Sequence, residues 1–458
     1  MRRWTKRILI VLAVFVLPVV AFYFYAAWQG DSELRAIIAE LDASGEPWRV
    51  EDLERVRPPL ADKDDIRFLM SRVRSQVPTT LAAKKSIGRI EDVLAGPPNV
   101  IIPPEGFALF DEDMQSIAAG LAEARKLADL PHTRLRIEWP ADQLWPNVDD
   151  LLKVRELSVK LYWAAGWHGQ LGDLDTAMDD CLAMLRSAQA LQDEFTLTSQ
   201  LVRMGMQAIT LESLERVLAQ GQPSPRQLAR LQKAWEEFDT ERALRQGFLG
   251  ERAGSHRLYE ALTAGKIKLH DVVRFTNEAT FWENATDVYL RMNLKSAHAW
   301  TLRYLTDVLR ALEMPEPQRA ARWNELDQQA RNAPGAARLL IGTHHGIYKG
   351  HRRIEARTRC AIAGLAAERF RHDQERWPKS LAELCPKFLD KIPDDPYAGK
   401  PLQFRRTGDG IVIYSVGPDG KQSGMNQENL AANRPGSISY EFRLWNVGRR
   451  RQLDGRQP

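Results

Sequence analysis

Residues 8–28, ILIVLAVFVLPVVAFYFYAAW, carry no charge and hardly a polar atom. About 21 residues at 1.5 Å rise span roughly 31 Å, close to the hydrocarbon thickness of a bilayer. This run constrains the chain more than any other, because a continuous apolar helix needs lipid or a deep core around it. Arg2, Arg3, Lys6 and Arg7 precede it, and Asp31 and Glu33 follow. The positive-inside rule therefore predicts a cytoplasmic N-terminus and a periplasmic or extracytoplasmic bulk, held by one pass through the inner membrane. Trp4, Tyr23, Tyr25 and Trp28 are interfacial residue types near the two ends, and Pro18 is tolerable in mid-span. A cleaved signal peptide is the alternative. Its apolar core would run only about 7–15 residues before a small-residue cleavage site, and AAWQG matches that site poorly. An uncleaved signal-anchor is expected.

The chain has 458 residues, room for two or three domains. Its net charge of +4 is concentrated at the two ends. Residues 1–30 contribute four positive charges, and residues 431–458 carry six arginines against Glu441 and Asp454, leaving a middle that is net acidic. No basic face for nucleic acid is implied. Cys181, Cys360 and Cys385 lie in apolar settings and fit no metal spacing, so buried thiols are expected, with Cys360–Cys385 the one pair to consider as a disulfide.

Along the chain, the expected order is a cytoplasmic basic tail (1–7), the anchor (8–28), an irregular helical region rich in Pro turns (29–146), a helical-hairpin domain (147–350), an α+β module (351–445) and a disordered basic tail (446–458). The class is mainly α. In the hairpin domain, helices are predicted at 147–167, 176–191, 194–219 and 226–244, the last opened by a Ser224 cap and Pro225. Short turns between them make antiparallel hairpins. AAGWHGQLGDLDTAMDDCLAML resembles a tetratricopeptide hairpin, with Gly172-Asp173 at the turn and Ala177 at a close helix contact, although no 34-residue period is sustained. Further helices are predicted at 287–312 and 318–331, and another from 336 onward into the C-terminal module.

That module reads as a long helix (353–372), then RWPKSLAELCPKFL, then strands at 400–405, 410–416 and 437–444 forming a three-stranded antiparallel sheet. Leu402, Phe404, Ile411, Ile413, Tyr440 and Phe442 are expected to face the helix. ERFRHDQERWPKSLAEL, DPYAGKPLQFRR and YSVGPDG resemble the C-terminal domain of the type II secretion major pseudopilin, over about residues 355–425. MRRWTKRILIVL lacks that family's Gly-plus-acidic processing motif, so the resemblance does not extend to a processed pilin. As architecture, the chain resembles uncharacterised membrane-anchored helical proteins of planctomycete-type bacteria.

The resemblance implies a calcium loop in residues 416–429, with Ser415, Asp419 and neighbouring carbonyls at the site. Glu428 is the only other acid before the third strand. Calcium takes six to eight oxygens, usually with two or three carboxylates, so ligand charge favours a plain structural turn. No other cofactor is expected. His344, His345 and His351 in GTHHGIYKGHRR permit a metal on one helical face, but crowding by Lys349, Arg352 and Arg353 favours exposed or semi-exposed histidines. Glu251, Arg252 and His256 in LGERAGSH are the most functional-looking polar residues of the body. They read as an interaction patch or interhelix ion pair, or alternatively as an enzyme site of unknown reaction. The leading expectation is a non-catalytic, membrane-tethered scaffold for an envelope or secretion protein.

Overall fold

The computed structural model describes residues 2–76, 93–140, 142–268, 272, 293–342, 344–418, 420 and 440–453. The protein is mainly helical, with a small three-stranded antiparallel sheet near its C-terminal end. The first helix, α1 (Arg2–Ala43), runs unbroken through the apolar segment and on into the region expected to be irregular from residue 29. Side chains of residues 2–16, 19 and 23 lie outside the described residues. Beyond them Leu17, Phe22, Phe24, Tyr25 and Trp28 are all exposed. Among the described residues no helix is long and apolar enough to cross a membrane. Short helices α2 (Val50–Val56), α3 (Ile66–Gln76), α4 (Pro104–Ser116) and α5 (Ala118–Arg125) follow, joined by irregular chain.

Local chemistry sets the hairpin boundaries. Asn147 accepts a bond from the Asp149 amide at the start of α6 (Asp149–Leu171). Gly172, at φ +86°, ends that helix in the left-handed region that glycine enters without a Cβ clash. The next residue, Asp173, caps α7 (Leu174–Gln189) through the Thr176 amide, so two residues reverse the chain. Ala177 is fully buried in the resulting helix contact. Thr196 caps α8 (Leu197–Gln220), and Ser224 with Pro225 opens α9 (Pro225–Glu236). The helix expected over 226–244 is broken here. Asp239 takes the Arg242 amide at 2.9 Å and starts a new helix, α10 (Thr240–Thr263). Then come α11 (Leu294–Leu312), α12 (Gln318–Arg331) and the single turn α13 (Ala337–Leu340). The helix expected to continue from 336 stops at Ile341, and α14 (His344–Gln374) begins afresh.

One core runs from α3 through α6, α7, α8 and α9 to α14 and the sheet, including Leu161, Leu185, Leu214, Trp235, Leu365 and Phe442. A second gathers Phe248, Tyr304, Leu305, Trp323 and Tyr348 between α10, α11, α12 and α14. All three cysteines are free thiols, two of them buried.

Strands β1 (Gln403–Thr407), β2 (Gly410–Tyr414) and β3 (Glu441–Trp445) form a meander in the order β1-β2-β3. Phe404 stands opposite Ile413, and Ile413 opposite Phe442. Ile411, Ile413 and Phe442 are buried as expected, and Val412, on the other face of β2, is buried too. Gly364 of α14 gives Phe442 its space: a Cβ there would stand 2.6 Å from the ring. Both edges are protected. β1 carries Arg405 and Arg406, and charged edge residues discourage further strand pairing. On the other side, Glu215 of α8 accepts the outward Arg443 amide at 2.9 Å.

The disordered tail expected over 446–458 does not hold for 446–453. Arg450 is buried and grips Glu368 of α14 through two parallel bonds of 2.9 and 3.0 Å, and its other protons go to the Trp445 and Gly221 carbonyls. Arg451 donates to Gly169 and Gln170 carbonyls at the α6 end, and Gln452 pairs with residues 99–101. Residues 454–458 lie outside the described residues. Removing one partner of a buried pair strands the other charge, so Arg450→Met is expected to cost about 3–5 kcal/mol in denaturant melts. Arg450→Lys, which keeps the charge but loses the planar fork, should lose less. Equal stability of Arg450→Met and wild type would contradict this reading of the tail.

Candidate functional site

α10 is packed unusually close to its neighbours, and glycines permit it. A Cβ on Gly250 would lie 1.4 Å from the Phe195 carbonyl oxygen, and one on Gly254 would lie 2.7 Å from the Trp139 ring. The polar interruption LGERAGSH is therefore a close-approach segment, and its three singled-out residues leave in different directions. Glu251 reaches His344 of α14 at 3.4 Å. Arg252, 1% exposed, turns to Glu46 after α1 at 3.0 Å and to Thr306 of α11. Burial alone would raise the Glu46 carboxyl, but Arg245 and Arg252 outweigh it and hold the group below its usual range. Arg252 is thus an interhelix bolt. His256 lines a cavity.

That cavity is a cleft of about 1080 Å³ beside the root of α1, lined by Leu34, Ile38, Trp145, His256, Arg257 and His298 among others. Arg257 shapes one wall: it donates to the Pro140 and Gln143 carbonyls at 2.8 and 3.0 Å and pairs with Glu51 at 2.6 Å. Trp145 stacks on Trp139 at its mouth.

His256 Nδ1 lies 2.9 Å from His298 Nε2, and His256 Nε2 lies 3.4 Å from the exposed Glu260 carboxylate. The Tyr259 ring stacks on His298 at 4.8 Å, nearly parallel, and Trp48 covers His256. Burial pushes His298 down to about 3, with the neighbouring His256 as the smaller cause. Burial also lowers His256, against the opposing pull of Glu260. Two neutral imidazoles 2.9 Å apart share one proton. With that proton on His256, His256 Nε2 presents a free lone pair at the cleft, oriented by His298; with it on His298, Nε2–H points to Glu260. This is the chemistry of a positioned base.

The remaining expected sites fall elsewhere. Ser415 donates to Asp395 at 2.8 Å, and the same buried carboxylate takes the amides of Val416 at 2.7 Å and Tyr397 at 2.8 Å. Ser415 therefore ties the DPYAGK turn to the end of β2. Its proposed calcium partners Asp419 and Glu428 lie outside the described residues. His344 and His351 are buried, contrary to the expectation of exposed or semi-exposed helix histidines, where α14 meets α10 and α12; His345 is half-buried, within that expectation. Sequence reasoning did not single out His298 and Glu260. The i, i+4 spacing of His256 and Glu260 was a readable signal, whereas nothing local connects His298 to position 256.

Comparison with protein-family models, with curated proteins and with solved structures gave no match.

Two outcomes follow. Gly250→Ala places a methyl on a backbone carbonyl, so it should destabilise by about 3 kcal/mol, the top of the usual overpacking range, or more. A melt within about 0.5 kcal/mol of wild type would contradict the close approach. His298 stays neutral in the fold while the unfolded chain takes up a proton below about 6.5, so its share of stability is lost as pH falls from 6.5 towards 3. Wild type minus His298→Gln should therefore decline with acidification, by no more than about 1.4 kcal/mol per pH unit. A difference independent of pH would sink the neutral-histidine assignment.

Proposed function

We propose that this is a membrane-tethered envelope protein whose helical body is a non-catalytic interaction module, holding a cleft for a protein segment at the membrane surface. The observation that carries the reading is the continuity of α1. The apolar run 8–28 and the segment that docks on the body belong to one helix. Gly30 lets α1 approach Ser296 of α11, where an added Cβ would meet the serine hydroxyl at 2.5 Å. Asp31 pairs with Lys295 at 2.5 Å and Glu40 with Arg310 at 3.0 Å. Exposed pairs of this kind contribute little each. The buried contacts of Ile37 and Leu41 with Ala299 and Leu302, under Trp48, carry the docking. A body fixed to its anchor in this way cannot swing freely. Leu34 lies six residues beyond Trp28, about 9 Å along a helix, which sets the cleft wall just outside the headgroup layer. The tetratricopeptide-like α6–α7 hairpin and the pseudopilin-like sheet module belong to the same reading, as parts of an assembly device linked to secretion or the envelope.

An enzyme is the second reading, favoured by one observation: His256, oriented by His298, opens into a cleft of small-molecule size or larger. It moves the expected reaction site from Glu251, Arg252 and His256 to His256, His298 and Glu260.

The tether is tested by fractionation. Full-length protein should stay with the membrane through alkaline carbonate extraction, and a chain beginning at residue 31 should be released. Release of both would overturn the proposal. The module is tested with a photo-crosslinker at Trp145: it should capture a defined envelope protein that a probe at Leu201, outside the cleft, does not. Loss of biological activity in His256→Gln with that crosslink intact would favour the enzyme.

A further inference from the structure

Glu241, His351 and Glu355 bring one ligand atom each within 4.8 Å of one another. We infer that they form a binding site for a divalent transition-metal ion of the zinc class, clipping α10 to α14.

The elements place the three residues without recourse to loops. His351 and Glu355 are i and i+4 on α14, so their side chains rise from the same face one turn apart. Glu241 sits in the first turn of α10, fixed by the Asp239 cap two residues earlier. The imidazole is the decisive group. His351 is 1% exposed, and its Nε2 has no hydrogen-bond partner. It points between Glu241 Oε1 at 3.7 Å and Glu355 Oε2 at 4.0 Å, too far to bond either. A buried polar nitrogen without a partner is costly, and aiming it between two carboxylates is the arrangement a cation would satisfy.

The size fits. An ion central to the three atoms would stand about 2.5 Å from each, and an inward shift of roughly half an ångström reaches the 2.0–2.2 Å of zinc bonds to His and carboxylate. One imidazole with two carboxylates suits a borderline ion better than calcium or magnesium, which take oxygen sets. Three protein ligands leave a fourth position for water.

Arginines surround the site, and they orient its ligands. Arg359 holds Glu355 by Oε1, leaving Oε2 turned to His351. Arg319 of α12 donates to Glu241 Oε1 at 2.7 Å, the oxygen that also faces His351, so an ion would share that oxygen with Arg319 or take Oε2. Arg352, next to His351, is engaged by Glu316 and the Pro396 carbonyl. Outer partners that fix ligating carboxylates are a regular part of metal sites. Of the basic residues that argued against a metal from sequence, Arg352 is drawn off by Glu316 and the Pro396 carbonyl.

The test uses the full-length protein in detergent, stripped with chelator and titrated with Zn²⁺ and with Co²⁺. Native mass spectrometry should count one tightly held ion per chain. Bound Co²⁺ should show visible bands of low-symmetry coordination, and the melting midpoint should rise by several degrees on loading. His351→Gln and Glu355→Gln, each close in shape to the original, should abolish both the ion and the rise. His345→Gln, whose ring faces Asp327 at 3.1 Å, should keep them. Should His351→Gln fail to fold, Glu241→Gln serves in its place. Absence of a stoichiometric ion, or an ion undiminished in the His351 and Glu355 variants, would overturn the site.

Discussion

The fold depends on a carboxylate buried where no water reaches it. Glu368 is fully enclosed on α14, and a lone charge there would be intolerable. Arg450 and Arg371 supply its counter-charge. Arg450 comes from the end of the chain, and its remaining protons satisfy the Trp445 and Gly221 carbonyls. One guanidinium thus joins the long helix, the last strand and the end of α8. Such a pair is a poor source of net stability, because desolvating both ions offsets most of their attraction. Its contribution is to register: the chain can close in only one way that leaves no bare charge.

The hairpin was legible where the signal is local. Gly172-Asp173 is both a left-handed stop and a cap, and the two roles fall on adjacent residues whatever the rest of the chain does. The same kind of signal at Asp239 was overlooked, because the apolar spacing over 226–244 runs through it; capping chemistry, once formed, breaks a helix that periodicity alone would continue. The strands were legible within a few residues, since Phe442 and Leu444 alternate inward on β3 and β2 is a short apolar run buried on both faces. The tail was not. Six arginines near a terminus look like a solvated end, and only the partner, more than eighty residues upstream at Glu368, makes one of them a core residue.

The site was half legible for a related reason. LGERAGSH was noticed for its charged residues, yet the glycines are what let α10 come close to Phe195 and Trp139. Its charges then serve the scaffold, as Arg252 shows. His256 takes its significance from His298, which sits in an apolar helix with no neighbouring motif. His351 is a similar case. Counting charges along α14 places cations beside it, whereas the fold draws Arg352 to Glu316 and the Pro396 carbonyl and brings two carboxylates to the imidazole.

These contacts lie on one mechanical path. α1 is held by α11 through Ile37 and Leu41. α11 packs on α10 through Tyr259, His298 and Thr301. α10 meets α14 at the Glu251–His344 and Glu241–His351 contacts, and α14 carries the sheet through Gly364 and Phe442. The links nearest the cleft are buried histidines rather than plain hydrocarbon. Hydrocarbon contacts are indifferent to what occupies the cleft, but an imidazole pair must place one shared proton on one side or the other. A donor to His256 Nε2 would favour the proton on the His256 side of the pair, and an acceptor would favour it on the His298 side.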